Sequence, residues 1–175
     1  MITKRQASRK GLDSDLCELT IVGEPASKAN SRRLVKIKNR FAFIKSKKAM
    51  NYSKDFALQC PTYDTLYEED LAIALKIYYK SKRPDLDESL ILDLLQGKVY
   101  KNDRSIKLKY VEWGLDRQYP RILVVLGPVE KEEEIISRLR ELVEREEVDA
   151  SKVSAKGDQA TSRQAFTRAI QKEMS

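Results

Sequence analysis

The stretch that decides the fold is Leu71-Ala72-Ile73-Ala74-Leu75-Lys76-Ile77-Tyr78-Tyr79, the clearest strand in this chain of 175 residues. Large apolar side chains occupy every second position, which predicts that one face of a β-strand points into a core. The strand leads directly into Lys82-Arg83-Pro84-Asp85-Leu86-Asp87. We predict that Asp87 is the N-cap of a helix over residues 87–96, which Gly97 terminates.

The remaining elements follow from short β-branched runs and from helical spacing. We predict strands over 19–22, 34–37, 41–44, 106–113 and 122–126, and helices over 46–59, with Ser46 as N-cap, and over 129–148. The length suits one domain and is too short for two ordinary ones. The fold class is therefore α/β (α+β), a single domain with a mixed sheet of about five strands and helices packed on it.

Domain organisation follows the composition along the chain. We predict a flexible basic arm over 1–17, the folded domain over 18–127, an amphipathic C-terminal helix over 128–149 and a loose polar tail over 150–175, with a short helix near 166–172. The helix carries an apolar stripe of Ile135, Leu139, Leu142 and Val143. Because such a stripe needs a surface to cover, we expect it to extend a dimer interface.

The net charge of +7 is concentrated near the N-terminus, where the first 60 residues hold 14 Lys or Arg against 5 Asp or Glu. A concentrated basic half favours a polyanionic partner, most often nucleic acid, over a merely solubilising surface. The chain has no histidine, which excludes Ser-His-Asp and Cys-His catalysis, histidine-containing zinc fingers and nucleases with a histidine base. Cys17 and Cys60 are isolated, which predicts free thiols in a reducing cytoplasm and no zinc site.

Three aspartates, Asp85, Asp87 and Asp103, lie among basic residues. Carboxylate oxygens are the hard ligands that Mg²⁺ prefers, and converging carboxylates repel one another unless a cation lies between them. A carboxylate-held Mg²⁺ beside a phosphate-binding surface is the usual apparatus for hydrolysing a phosphodiester. The alternative is that Asp85 and Asp87 are helix-cap residues and Asp103 a turn residue, and spacing alone leaves both open. Asp93, within an apolar run, is either on a solvent face or buried and paired.

The candidate phosphate contacts share a positive charge and proximity to the acidic segment or the basic half. They are Lys28, Arg32, Arg33, Lys36, Lys45, Lys47, Lys48, Lys82, Arg83, Lys101 and Arg104. Phe41, Phe43 and Tyr52 are candidates to stack on bases. Their strand and helix spacing instead favours a place in the core.

Two segments of the chain carry a resemblance to a known family. They are Arg83-Pro84-Asp85-Leu86-Asp87 and Leu92-Asp93-Leu94-Leu95-Gln96-Gly97-Lys98-Val99-Tyr100-Lys101-Asn102-Asp103-Arg104-Ser105-Ile106. Together they resemble the RusA family of Holliday junction resolvases, of phage type. The likeness extends to Ile21-Val22-Gly23-Glu24-Pro25 and to Tyr119-Pro120-Arg121, and covers about residues 18–127.

The resemblance implies a homodimeric crossover junction endodeoxyribonuclease that cuts four-way DNA junctions by paired symmetric nicks in recombination and repair. The family's essential aspartates fall on Asp85, Asp87 and Asp103, which would hold Mg²⁺, with Mn²⁺ as a substitute. Glu88 and Asp93 are supporting candidates. The partner is branched DNA, without a membrane or a small-molecule substrate. The compartment is the cytoplasm of a bacterium or a phage-infected host.

The chain departs from the family pattern around the acidic segment. Glu88 stands where the family has asparagine, the family's helical lysine is absent, and Asn102 replaces an aspartate. The candidates to replace this lysine are Lys82, Arg83, Lys98 or Lys101, and spacing does not decide among them. Two alternatives follow: a non-catalytic or weakly active protein that binds branched DNA on the same scaffold, and a nuclease for other branched or single-stranded DNA.

Overall fold

Strand β4 (Leu71–Tyr79) has the predicted bounds and lies inside the main sheet of the computed structural model, which describes residues 16–27, 32–38 and 40–155. The other strands are β1 (Cys17–Val22), β2 (Arg32–Ile37), β3 (Arg40–Lys45), β5 (Ile106–Leu115) and β6 (Arg121–Pro128). The α-helices are α1 (Lys47–Gln59), α2 (Ser89–Leu95) and α3 (Glu132–Ala155), and the 3₁₀ turns are Asp103–Ser105 and Val129–Lys131. The mixed α/β prediction is confirmed.

The main sheet has four strands in the order β1-β6-β4-β5. β4 runs parallel to β5 and antiparallel to β6. Every residue of β4 is buried except Lys76, which is half-buried and pairs with Glu112 at 2.6 Å. The predicted alternation is correct for the core face, and Ala72, Ala74 and Tyr78 of the second face are buried as well.

The main core forms on one face of this sheet. Apolar residues of β4 and β6 pack there with residues of α1 and α2, including Phe56, Ile91 and Leu95, none of which is exposed. Helix α1 begins as predicted, since the Ser46 hydroxyl accepts a hydrogen bond from the Ala49 N–H at 3.2 Å. The core thereby places α1 and α2 over the same face as the segment that follows β4.

Strands β2 and β3 form a separate two-stranded sheet, called the ribbon below. Against the about five strands predicted for one mixed sheet, the described residues form six, which divide into a sheet of four and a ribbon of two. Ile37 pairs with Arg40, so the connection is a tight hairpin in which Lys38 adopts a φ of 55°. The local hairpin was predictable, whereas its separation from the sheet depends on long-range pairing.

The C-terminal helix α3 follows a 3₁₀ turn and ends at Ala155, beyond the predicted end at Val148. Residues 150–155, predicted as tail, are therefore helical, while 1–15 of the predicted arm and 156–175 of the tail lie outside the described residues. The chain divides into two compact units, 1–139 and 140–175. Ile135 and Leu139 of the first unit are already buried within a single chain. That burial removes the reason to expect these two residues at a dimer interface.

Two further sequence predictions can be compared with the structure. Cys17 and Cys60 form no disulfide, as predicted, and both are buried. Across the described ranges, none of the helices combines the length and the apolar character needed to cross a membrane.

Candidate functional site at the end of strand β4

Residues 80–88, called the acidic loop below, connect β4 to α2 and are attached to the fold at their start by Glu24. One carboxylate oxygen of Glu24 accepts the Lys80 N–H at 3.1 Å, and the other accepts the Lys48 ammonium at 2.7 Å. Glu24 is only 18% exposed, which favours a persistent contact over an exposed surface ion pair. Glu24 therefore joins the start of the acidic loop to the first turn of α1.

The far end of the acidic loop is attached by Tyr79. Its phenol oxygen accepts the Asp87 N–H at 3.2 Å, and its ring stacks on Trp113 with centroids 6.2 Å apart. Burial raises the pKa of Tyr79, and the charges of Asp87, Glu24 and Glu88 raise it further, while the Asp87 hydrogen bond lowers it. The phenol is therefore neutral at neutral pH, and its oxygen is a fixed hydrogen-bond acceptor for the acidic loop.

Asp85 and Asp87 differ in their surroundings. Asp85 is exposed, whereas Asp87 is half-buried and its Oδ1 accepts the Ser89 N–H at 3.0 Å. The prediction that Asp87 is the N-cap is wrong: α2 begins at Ser89 and Glu88 occupies the N-cap position without a side-chain cap bond. Asp87 instead closes a local turn one residue earlier, which fixes the direction of its carboxylate.

Asp103 is exposed and begins the 3₁₀ turn that precedes β5. In that turn the Asn102 side chain accepts the Arg104 N–H at 3.0 Å, so Asn102 has a capping role. Ile106 is paired with Leu71 in the parallel β4–β5 register. Asp103 therefore lies just before the start of this strand pair. The acidic loop leaves the other end of β4, but its last residue, Glu88, contacts Lys109 near the start of β5.

Two buried tyrosines mark two separate groups of acids. Asp93 and Asp103 both act on Tyr100, whose pKa is raised first by burial and then by these two charges. Glu24, Asp87 and Glu88 act on Tyr79. Asp93 itself is exposed, so its place is the solvent face of α2. Within the part of the chain that the structure describes, no group of three or more acids or cysteines is arranged to hold a metal ion.

The acidic loop nevertheless carries the donor chemistry that Mg²⁺ uses. Mg²⁺ usually takes one or two protein carboxylates and completes its octahedron with waters and substrate phosphates. Asp85 and Asp87 supply two carboxylates within three residues of one tethered loop, and Asp85 is open to solvent. The two residues therefore have the ligand chemistry that Mg²⁺ takes, and a site of this kind does not require Asp103.

The expected substitutes for the family's lysine have different environments. The Lys98 ammonium donates to the Cys60 carbonyl at 3.0 Å and lies at the C-terminal end of α1, where a cation is favoured by the helix dipole. Lys101 pairs with Glu68 at 3.4 Å, and both side chains are about two-thirds exposed. Lys82 and Arg83 are exposed on the acidic loop itself. Lys98 thus has a structural role. Of the four basic residues, Lys82 and Arg83 are the closest in sequence to Asp85 and Asp87.

Lys109 is the residue that sequence reasoning missed. It lies in β5, and its ammonium donates to the Glu88 carboxylate at 2.6 Å, next to Asp87. The hydrogen bond from Lys109 is the largest cause of a lowered Glu88 pKa. The only signal in the sequence was that Lys107 and Lys109 occupy alternate positions of a predicted strand, a pattern typical of many strands with one face in solvent.

Substitution of Lys109 by Met is expected to remove a pH-dependent part of the stability. The Glu88 pKa is depressed in the folded protein, so its contribution is present above the unfolded pKa and is lost as the pH falls through the folded value. We expect the loss of stability from pH 6 to pH 3 to be smaller in Lys109→Met than in the wild-type protein, measured by urea unfolding. Glu88→Gln should reproduce this flattening, and parallel curves in all three proteins would contradict it.

Most of the predicted phosphate contacts are accessible, and Lys28 lies outside the described residues. The exposed ones are Arg32, Arg33, Lys36 and Lys45 of the ribbon, Lys47 and Lys48 of α1, Lys82 and Arg83 of the acidic loop, and Lys101 and Arg104 near Asp103. Exposed Lys and Arg can neutralise phosphates without reading sequence.

No protein-family model and no curated protein matches this chain.

Proposed function

We propose that this protein is a Mg²⁺-dependent, structure-specific endonuclease that resolves four-way DNA junctions by paired symmetric hydrolysis, as its resemblance to the RusA family implies. The observation that carries the proposal is the acidic loop, which is tethered at Lys80 by Glu24 and at Asp87 by Tyr79. Between these two points it presents exposed Asp85 beside exposed Lys82 and Arg83. Carboxylates for a metal and cations for a phosphate thus lie on one restrained segment.

The roles follow from the chemistry of each side chain. Asp85 and Asp87 would hold Mg²⁺, or Mn²⁺ in its place, and the bound metal supplies an acidified water and stabilises charge on the phosphate. Lys82 and Arg83 hold the phosphate backbone next to the loop. The Tyr79 and Glu24 contacts restrict the loop before DNA arrives, so that less ordering remains to be done on binding.

Paired nicks on opposing strands need two acidic loops, which a homodimer with two-fold symmetry supplies. We place this activity in the cytoplasm of a bacterium or a phage-infected cell. The two buried free thiols support a reducing compartment.

Cleavage of a labelled synthetic four-way junction, with and without Mg²⁺, tests the proposal. We expect paired nicks at symmetric positions that require the metal and are absent on a linear duplex of the same sequence. Preferential cutting of flaps, forks or single strands would assign the site to a different branched-DNA nuclease. The absence of any cutting by pure protein with Mg²⁺ or Mn²⁺ would overturn the nuclease assignment.

A second candidate is a protein that binds branched DNA without cutting it. Among the described residues no group of three acids is arranged to hold a metal ion, which favours this candidate, because the resemblance implies three aspartates acting together. In that case the protein binds the junction both in EDTA and in Mg²⁺, and no product forms in either.

A further inference from the structure

One face of the ribbon combines aromatic and cationic side chains. Residues at alternate positions of a strand share a face, and the β2–β3 register sets Arg32 opposite Lys45, Leu34 opposite Phe43 and Lys36 opposite Phe41. We call this the aromatic face; it consists of Arg32, Leu34, Lys36, Phe41, Phe43 and Lys45. Its apolar side chains therefore lie between cations at both ends of the ribbon.

The aromatic face is open to solvent. Phe41 is 69% exposed, Phe43 72% and Leu34 55%, whereas Val35, Ala42 and Ile44 of the opposite face are half-buried. The expectation that Phe41 and Phe43 belong to the core is therefore wrong, although it holds for Tyr52, which is 4% exposed. The physical reason is that, within the part of the chain that the structure describes, no helix or strand packs over this face of the ribbon.

The charges on the ribbon indicate the chemical class of partner that can bind the aromatic face. β2 and β3 contain arginine and lysine but no acidic residue, and Lys38 adds a further cation at the turn. A second copy placed face to face by two-fold symmetry would bring cations against cations. A polyanion with exposed flat rings satisfies both parts of the surface, because bases stack on aromatic side chains while phosphates meet the cations.

We propose that Phe41 and Phe43 stack on unstacked bases at the branch point of DNA while Arg32, Lys36 and Lys45 contact the adjoining phosphates. This inference rests on the proposed function only in taking branched DNA as the substrate. Inside a linear duplex each base is covered by its neighbours, so the phenylalanines have no ring to contact there. The ribbon is thus a specificity element that distinguishes branched from linear DNA, at positions remote in sequence from the acidic loop.

The test measures DNA binding by the full chain in EDTA, where no cutting occurs. The probes are a four-way junction with 2-aminopurine at the branch point and a fully paired linear duplex of equal length. We expect the double variant Phe41→Ala/Phe43→Ala to bind the junction at least about tenfold more weakly. It should also lose the change in 2-aminopurine fluorescence, and its affinity for the linear duplex should be unchanged.

Three controls make the test specific. Leu58→Ala removes another exposed apolar side chain, 82% exposed on α1, and should leave both affinities unchanged. Phe41→Tyr/Phe43→Tyr keeps the rings and should retain junction binding. Because the replaced side chains are exposed, the urea midpoint of the double alanine variant should match that of the wild-type protein.

The outcomes separate this inference from the proposed function. Unchanged junction affinity, equal weakening on both DNAs, or no DNA binding by the wild-type protein would overturn it. Loss of a dimer in the double alanine variant, without a specific junction defect, would assign the aromatic face to a second copy and also overturn it. A wild-type protein that binds and alters the branch-point fluorescence but never cuts would retain this inference while the nuclease proposal fails.

Discussion

Replacement of Asp85 by Asn is expected to abolish Mg²⁺-dependent cutting of the four-way junction while leaving binding in EDTA unchanged or tighter. Asp85 is the exposed carboxylate of the tethered acidic loop, and the substitution removes the charge of the proposed metal ligand with little change in size. Loss of several kcal/mol of transition-state stabilisation by the metal corresponds to a decrease in the cleavage rate on the order of 10³-fold. Removal of a negative charge beside the DNA backbone also lowers repulsion, so affinity should not fall. Single-turnover cleavage and Mg²⁺-free binding are the two measurements.

The matched control for this variant is Asp55→Asn, which makes the same charge change at an exposed position of α1. It should cut at the wild-type rate. If Asp85→Asn cuts within about threefold of the wild-type protein, a difference worth less than about 1 kcal/mol, Asp85 is not a metal ligand. Asp103→Asn in the same assay shows whether Asp103 takes part despite its position before β5.

The largest expected effect on stability is that of Asp116→Ala. Asp116 pairs with Arg121 at 2.8 Å and accepts the N–H groups of Gln118 and Tyr119. The Arg121 side chain is 8% exposed and its guanidinium lies over the Tyr78 ring at 4.0 Å, so it cannot recover full hydration. Removing one partner of a buried pair costs about 3–5 kcal/mol. Urea unfolding at pH 7 measures the change.

A double variant distinguishes the cost of leaving the buried Arg121 charge without Asp116 from the cost of losing the turn hydrogen bonds that Asp116 accepts. Asp116→Ala/Arg121→Met removes the uncompensated cation together with its partner and should be more stable than Asp116→Ala alone. The Asp116 N–H also donates to the Tyr79 carbonyl, at the point where the acidic loop begins. A decrease of less than about 1 kcal/mol in the single variant would show that Arg121 is adequately solvated without Asp116.

Sequence patterns of short range predicted several elements correctly. The alternation in Leu71–Tyr79 predicted β4 with its bounds, and Ser46 predicted the start of α1, because both signals depend only on neighbouring residues. The mixed α/β class followed from the order of such elements. The acidic loop was identified for the same reason: its acids and cations are adjacent in sequence, where a strand gives way to a helix.

Long-range pairing decided the features that sequence reasoning missed. The parallel register of β4 with β5 puts Asp103 before the start of the strand pair, and Lys109 reaches Glu88 from 21 residues away. The spacing of Phe41 and Phe43 is compatible with a core or with an exposed ribbon, and both are exposed because no described helix or strand packs over their face. Periodicity specifies which residues share a face, whereas what covers that face depends on contacts between segments far apart in the chain.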